Sequence, residues 1–325
     1  MMVLKLFFAV LFFSITTASK AAIDSSAVTA SEGNQVLLNM SKAMKSLNYQ
    51  GTVVFLKNGK LEAMKYFHAA NKDAEQERLL SLNSPLREII RNSDQVSCHF
   101  KEHQQTIVDY RPVERSFLLD IPKNINELAA TYSFDIVGEE NIAMLPAYVI
   151  AIQPKDKFRY VRKIWIEKNY FLPLKVVIYN FSGQALEQVV FTELEVKDSL
   201  PFVGVSKAGS TEKPVSIAQS TKPDSHSPFV VSELPQGFQE IFFTRSPVHN
   251  SDQLVDHMVL SDGFSSVSVY MENKNTTIQT GLQSIGAVNS FSRTIGDHAL
   301  TVMGEVPATT VKLIADGLRL RVRGE

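Results

Sequence analysis

Arg159 to Val196, RYVRKIWIEKNYFLPLKVVIYNFSGQALEQVVFTELEV, is the stretch that decides the fold. Arg159–Glu167, Leu174–Phe181 and Ala185–Val196 are runs rich in Val, Ile, Tyr, Phe and Trp, the residue types that fit a pleated, half-buried surface. Only Asn169–Pro173 and Ser182-Gly183 separate them. Parallel neighbours would need crossovers of about a dozen residues, so these strands form an antiparallel meander. Ile164-Trp165-Ile166 and Val176-Val177-Ile178-Tyr179 are apolar at consecutive positions. Successive side chains point to opposite faces, so neither face can be left to water. One face can pack on a helix; the other is either a second core layer or the lining of an apolar cavity.

The same grammar extends upstream. Tyr132–Val137 and Ala147–Gln153 continue the meander through turns at Gly138–Asn141 and Pro154–Asp156. Earlier still, Thr52–Lys57 and Leu61–His68 flank Asn58-Gly59, the strongest short hairpin signal. Further strands are expected at Arg78–Leu82, Arg87–Arg91, Gln95–Lys101 and Thr106–Arg111, with a short helix at Ile125–Ala130. Val36, Leu37, Met40, Ala43, Met44 and Leu47 recur at helical spacing behind Ser31, which reads as the N-cap.

Residues 204–228, GVSKAGSTEKPVSIAQSTKPDSHSP, contain no aromatic residue and read as a flexible linker of about 25 to 30 Å end to end. Beyond it Phe238–Arg245, Gln253–Leu260, Phe264–Glu272, Ala287–Ile295 and Ala299–Glu305 are expected strands, with Asp262-Gly263 as a turn. Pro307 suits the first turn of a terminal helix whose stripe is Val311, Ile314, Ala315 and Leu318. The chain is therefore α+β: a large antiparallel sheet domain with helices at 22–203, a small antiparallel sheet domain with one covering helix at 229–318, and a frayed basic tail at 319–325.

Met1 to Ala22 reads as a secretory signal, with Lys5 before the apolar run Leu6–Phe13 and small residues Ala18, Ser19 and Ala21 at the cleavage site. Cleavage after Ala21 is preferred, which makes 1–21 the leader. The run is shorter than the ~20 residues a permanent span requires. Acidic and basic residues nearly balance, at 34 against 33, and are dispersed, which argues against nucleic acid as a partner. Cys98 is the only cysteine, so no intrachain disulfide can form and no lipid can attach at the end of the leader. Cys98 itself reads as a buried small side chain, with a redox role as the other option.

Enzyme signatures are missing. There is no G-x-S-x-G, G-x-x-x-x-G-K-[ST], H-E-x-x-H or G-x-G-x-x-G. His99 and His103 straddle a strand end without a supporting pair, so no metal and no cofactor are expected; His68, His249, His257 and His298 are scattered, and a pH-sensing role for them stays open. Asn275-Thr276-Thr277 matches a glycosylation acceptor only by rule. These absences point to binding rather than catalysis.

Particular strings then carry a resemblance. YQGTVVFL from Tyr49, LEAMK from Leu61, ERLLSLNSPLREIIR from Glu77, VDHMVLSDGFSSVSVY from Val255, GAVNS from Gly286 and GEVPATTV from Gly304 together resemble the RseB/MucB family, in order, from about Leu38 to Gly317. The resemblance implies a periplasmic negative regulator of sigma-E that binds the periplasmic region of an RseA/MucA-type anti-sigma factor and shields it from DegS-type proteolysis. It implies release by lipopolysaccharide or another acyl lipid. It further implies a large domain like LolA and LolB, a curved half-barrel sheet with an apolar hollow. A periplasmic lipid or lipoprotein carrier is the alternative, and a hydrolase the weakest; homo-oligomerisation stays open.

Residues nominated for the lipid hollow are Val54, Phe55, Tyr66, Phe67, Trp165 and Tyr179, all of which a plain core would equally select. For the partner, Phe242, Phe243 and Arg245 combine the aromatic and arginine character enriched at interface anchors. Adjacent in one strand, the two phenylalanines must face opposite ways, and a two-sided core is the competing explanation.

Overall fold

The computed structural model describes residues 25–92, 95–100, 105–110, 116–119, 125–203, 227–247, 254–273 and 279–321. The expected leader, almost all of the linker, the tail beyond residue 321, and His103, His249 and Asn275–Thr277 lie outside the described residues.

A helix, α1 (Ser25–Ser46), precedes an open antiparallel sheet of eleven strands. These are β1 (Asn48–Lys57), β2 (Lys60–Ala70), β3 (Glu75–Ser81), β4 (Arg87–Asn92), β5 (Gln95–Phe100), β6 (Gln105–Tyr110), β7 (Tyr132–Ile142), β8 (Leu145–Pro154), β9 (Val161–Glu167), β10 (Pro173–Tyr179) and β11 (Ala185–Lys197). Their order, β6-β5-β4-β3-β2-β1-β11-β10-β9-β8-β7, is two meanders zipped together where β1 pairs with β11. A curved antiparallel sheet, open rather than closed into a barrel, is thus what the expected strand pattern builds. Asn58 and Gly59 take φ of 54° and 70°, the left-handed pair the β1–β2 hairpin requires.

The small domain holds β12 (Phe229–Val231), β13 (Gln239–Pro247), β14 (Leu254–Ser261), β15 (Ser266–Asn273), β16 (Gly281–Ile285), β17 (Val288–Ile295), β18 (His298–Gly304), helix α2 (Ala308–Gly317) and β19 (Leu318–Leu320). Six of the strands form one antiparallel sheet, β13-β14-β15-β18-β17-β16, while β12 and β19 pair by themselves. α2 starts directly after Pro307, and its stripe Val311, Ile314 and Ala315 is fully buried against Val267, Val269, Leu300 and Val302.

The structure departs from expectation at several points, among them the turn expected at Gly138–Asn141, which lies within β7. α1 begins at Ser25, so Ser31 lies inside the helix rather than capping it: the apolar periodicity marks the packed part of a helix, not its start. Arg319 and Leu320 are not tail but strand, because β19 gives the backbone of Phe229–Val231 its partners. β16 escaped notice because it is exposed along most of its length and has no alternation. The Ile125–Ala130 segment is helical as expected, in the tighter 3₁₀ form.

Both faces of the large sheet are apolar, as its sequence demands. On the face that packs against α1, Leu37 and Met40 of the helix, Ile125, and the sheet residues Tyr49, Tyr66 and Ile164 form the main core. The opposite face carries a satellite cluster of Ala147, Val149, Trp165, Leu174 and Val177.

Candidate functional site

The two sheets face each other across a cleft of about 550 Å³. Strand alternation explains its chemistry. On β15, Val267, Val269 and Met271 turn into the small domain's core, which aims Ser266, Ser268 and Tyr270 at the cleft. Opposite them, Phe55, Val176, Ile178 and Val189 supply an apolar wall, and Arg162 supplies a cation.

One end of the cleft is closed by a buried polar seam. Asp262 sits in the β14–β15 turn, where its Oδ1 accepts the backbone N–H groups of Phe264 (3.0 Å) and Ser265 (2.7 Å). Its Oδ2 accepts the Tyr132 hydroxyl at 2.7 Å and an ion pair from Arg159 Nε. Arg159 also donates to the Gln236 carbonyl and to Asp156, with its guanidinium 4.9 Å from the Phe238 ring centroid. Arg159 and the Asp262 side chain are both fully buried. Burial works against the Arg159 charge, but its hydrogen bond and attraction to Asp262 outweigh this and hold its pKa above the ordinary arginine value. Desolvation, then the Asp262 charge, pushes the Tyr132 phenol far up, so it stays a hydrogen-bond donor.

Phe264 completes the seam. It comes from the small domain, yet it is buried in the large domain's core, edge-on to Tyr132 with centroids 5.5 Å apart. At the other end Asn289 donates to the Tyr160 hydroxyl at 2.9 Å, and Lys57 bridges Glu187 (3.0 Å) and Glu305 (2.9 Å). Desolvation and the Glu305 charge raise the Glu187 carboxyl despite that lysine.

A second polar network lies in the floor of the large domain. Tyr66 donates to Glu77 Oε1 at 2.7 Å, Arg91 Nε reaches Glu77 Oε2 at 2.9 Å, and the same Oε2 accepts the Phe117 backbone N–H at 2.9 Å. Glu75 pairs with Arg91 and faces His68 Nε2 at 3.5 Å. Although burial opposes it, His68 and Arg91 hold the Glu75 carboxyl down to about 2.

The nominated lipid residues do not converge. Phe55 lines the cleft, and Tyr66 is wholly buried in the floor network. Val54 and Phe67, their strand neighbours, alternate onto the opposite face, where the Arg78 guanidinium lies 4.2 Å from the Phe67 ring centroid. Trp165 and Tyr179 belong to the satellite cluster on the face away from α1; Lys175 covers the Trp165 ring and Glu140 accepts its indole N–H at 2.8 Å. Of the nominated partner residues, Phe243 packs on Phe229 in the core, whereas Phe242 turns the other way and meets His257, which stacks on Tyr270 at 4.4 Å. Arg245 forms a two-pronged pair with Asp256. Cys98 is half-buried, and burial pushes its thiol pKa up, away from thiolate reactivity. Among the described residues no cluster of three His, Cys, Asp or Glu could hold a metal, and no helix is long and apolar enough to cross a membrane.

Arg159, Arg162, Tyr132 and Asp262 went unnominated. The one available signal was Asp262-Gly263: an aspartate whose first oxygen is taken up by its own turn has a second one free for another element.

Comparison with known proteins matches both halves of the chain. The model of the MucB/RseB N-terminal domain fits residues 32–214, and that of the MucB/RseB C-terminal domain fits 223–319. The sigma factor AlgU regulatory protein MucB of Pseudomonas aeruginosa is 29% identical over 303 residues, covering 90% of this chain and 92% of its own. The sigma-E factor regulatory protein RseB of Salmonella typhimurium is 27% identical over 321 residues, covering 96% and 98%. Among solved structures, the Pseudomonas aeruginosa MucA/MucB complex superposes with a TM-score of 0.70 at 25% identity, over 90% of this chain and 99% of the other. MucB in complex with MucA(peri) gives 0.69 at 24% identity, over 89% and 99%, a likeness of fold.

Proposed function

This chain belongs to the MucB/RseB family, and we propose that it is a periplasmic regulatory binding protein that grips the periplasmic region of a membrane anti-sigma factor of the RseA/MucA type. It shields that region from DegS-type proteolysis and so keeps sigma-E inactive. The observation that carries this reading is the continuity of the family match through both domains, whose buried seam makes them one binding body. The solved complex of the Pseudomonas relative with MucA supports it.

Release by lipopolysaccharide or an acyl lipid is the second half of the proposal. The apolar wall of the cleft supports it, since an acyl chain gains about 0.8 kcal/mol per buried CH₂. A lipid that favours one arrangement of the sheets shifts the protein away from the arrangement the partner fits. A carrier of lipids or lipoproteins would require only the large domain, and the placement of Phe264 inside that domain's core speaks for a two-domain activity instead.

The test is capture of an anti-sigma periplasmic fragment by the mature chain, followed by challenge with a DegS-type protease. Stoichiometric retention and protection are expected, and both should fall when lipopolysaccharide is added. A fragment cleaved at the same rate with and without excess protein would end the proposal.

A further inference from the structure

Arg162, on β9, lines the cleft and is only 4% exposed. Its guanidinium donates to the Ser265 hydroxyl at 3.2 Å, a neutral acceptor, and among the described residues no carboxylate lies within ion-pairing distance. The carboxylate nearest to hand in the seam is already taken. Asp262 accepts two backbone N–H groups on Oδ1, and Tyr132 and Arg159 on Oδ2. Arg91, the other arginine on the cleft, is satisfied by Glu77 and Glu75. A buried, uncompensated cation is strongly unfavourable in an empty protein, and a guanidinium with spare N–H groups facing a cavity is built to take an oxyanion. The surroundings specify what carries that anion. Ile178 is the cross-strand partner of Arg162, and Val176, Phe55 and Phe264 line the same cleft, with Ser266 and Ser268 on the small-domain side and the Lys57–Glu187–Glu305 group also in its lining. Apart from the non-strand segment Ser116–Leu119, the described walls are sheet faces whose backbone groups are paired along β9–β10 and β14–β15–β18, so a peptide's own N–H and C=O groups would find few partners along them.

We infer that Arg162 is the anion-receiving residue of the cleft, and that its ligand is an amphiphile with one carboxylate or phosphate on an apolar body. This deepens the lipid-release half of the reading above; the titrations below contain no partner, so their failure leaves anti-sigma binding standing.

The probes are dodecyl phosphate, dodecanoate and uncharged dodecanol, each below its aggregation threshold, titrated calorimetrically into the full mature chain. The two charged probes should bind roughly 10- to 100-fold more tightly than dodecanol, the range of one charge-assisted hydrogen-bonded contact. The Arg162→Gln protein should lose that preference, and Arg162→Lys should keep part of it. Because Arg162→Gln removes an uncompensated charge, the ligand-free Tm should hold or rise. Equal affinity for charged and uncharged probes in the natural protein would overturn the inference, as would no binding of any probe or a preference that survives Arg162→Gln. So would inorganic phosphate binding as tightly as dodecyl phosphate, a capped glutamyl peptide displacing the probe at equal concentration, or a clear fall in Tm that marks Arg162 as structural.

Discussion

Replacing Asp262 by asparagine should open the seam without unfolding either sheet. Asparagine keeps the shape and the Oδ1 acceptor that holds the Phe264 and Ser265 N–H groups at 3.0 and 2.7 Å, so the turn survives. What disappears is the negative charge and the Oδ2 acceptor shared by Tyr132 and Arg159 Nε, which leaves the fully buried Arg159 with Asp156 as its one carboxylate partner among the described residues. Stripping a buried charge of its whole partner typically costs about 3–5 kcal/mol; because Asp156 and the Gln236 carbonyl still hold Arg159, the loss here should be about 2–3 kcal/mol, roughly two powers of ten in the closed-to-open ratio. Arg159 can escape that penalty by letting the two sheets part, so the loss is capped by the docking free energy. Amide exchange reads this out: protection of Phe264 and Ser265 should fall by about that factor, while Val267 and Val269 in the small core keep theirs. Adding Arg159→Met to Asp262→Asn removes the half-compensated cation and should restore part of the protection, giving a coupling of at least ~1 kcal/mol. Unchanged protection in Asp262→Asn, or strictly additive effects in the cycle, would refute the claim that this pair holds the domains together.

Three further outcomes are expected. Glu75 has its carboxyl lowered from 4.5 to about 2, so the stability it contributes is complete above pH 4.5 and drains away as pH falls toward 2; Glu75→Gln should flatten the urea midpoint across that window. Gly286 has φ 61°, and a Cβ there would run into the movable Asn58 side-chain end with Glu187 Oε1 in ordinary contact at 3.5 Å, so Gly286→Ala should cost about 1–2 kcal/mol, chiefly through backbone strain, in thermal melts. Phe229 is completely buried and edge-on to Phe243 at 6.0 Å, so Phe229→Ala should lower unfolding free energy by about 3–5 kcal/mol in denaturant titration.

Much of the architecture could be read from the chain itself. Doubly apolar strands such as Ile164–Ile166 announce two covered faces, and the Asn58-Gly59 pair announces its hairpin, because both depend on a few adjacent residues. β16 stayed hidden because a strand exposed along most of its length leaves no periodic mark, and β12 and β19 because three residues are too few to show one. The site was far less legible. Which side of a strand Phe55 or Trp165 faces is set by register across the whole sheet, and a bulge between Thr52 and Val53 resets it locally. The meeting of Arg159 with Asp262 joins residues 103 apart in sequence, and no local pattern encodes that distance.

Phe264 makes the large domain's interior a shared possession. A fragment ending before the small domain would fold around a missing ring, with Tyr132 and Phe134 left facing a greasy gap. Such a truncated half should be sticky, prone to clump or to borrow a ring from a neighbour, so the gene cannot be cut cleanly between its two domains and still give well-behaved pieces.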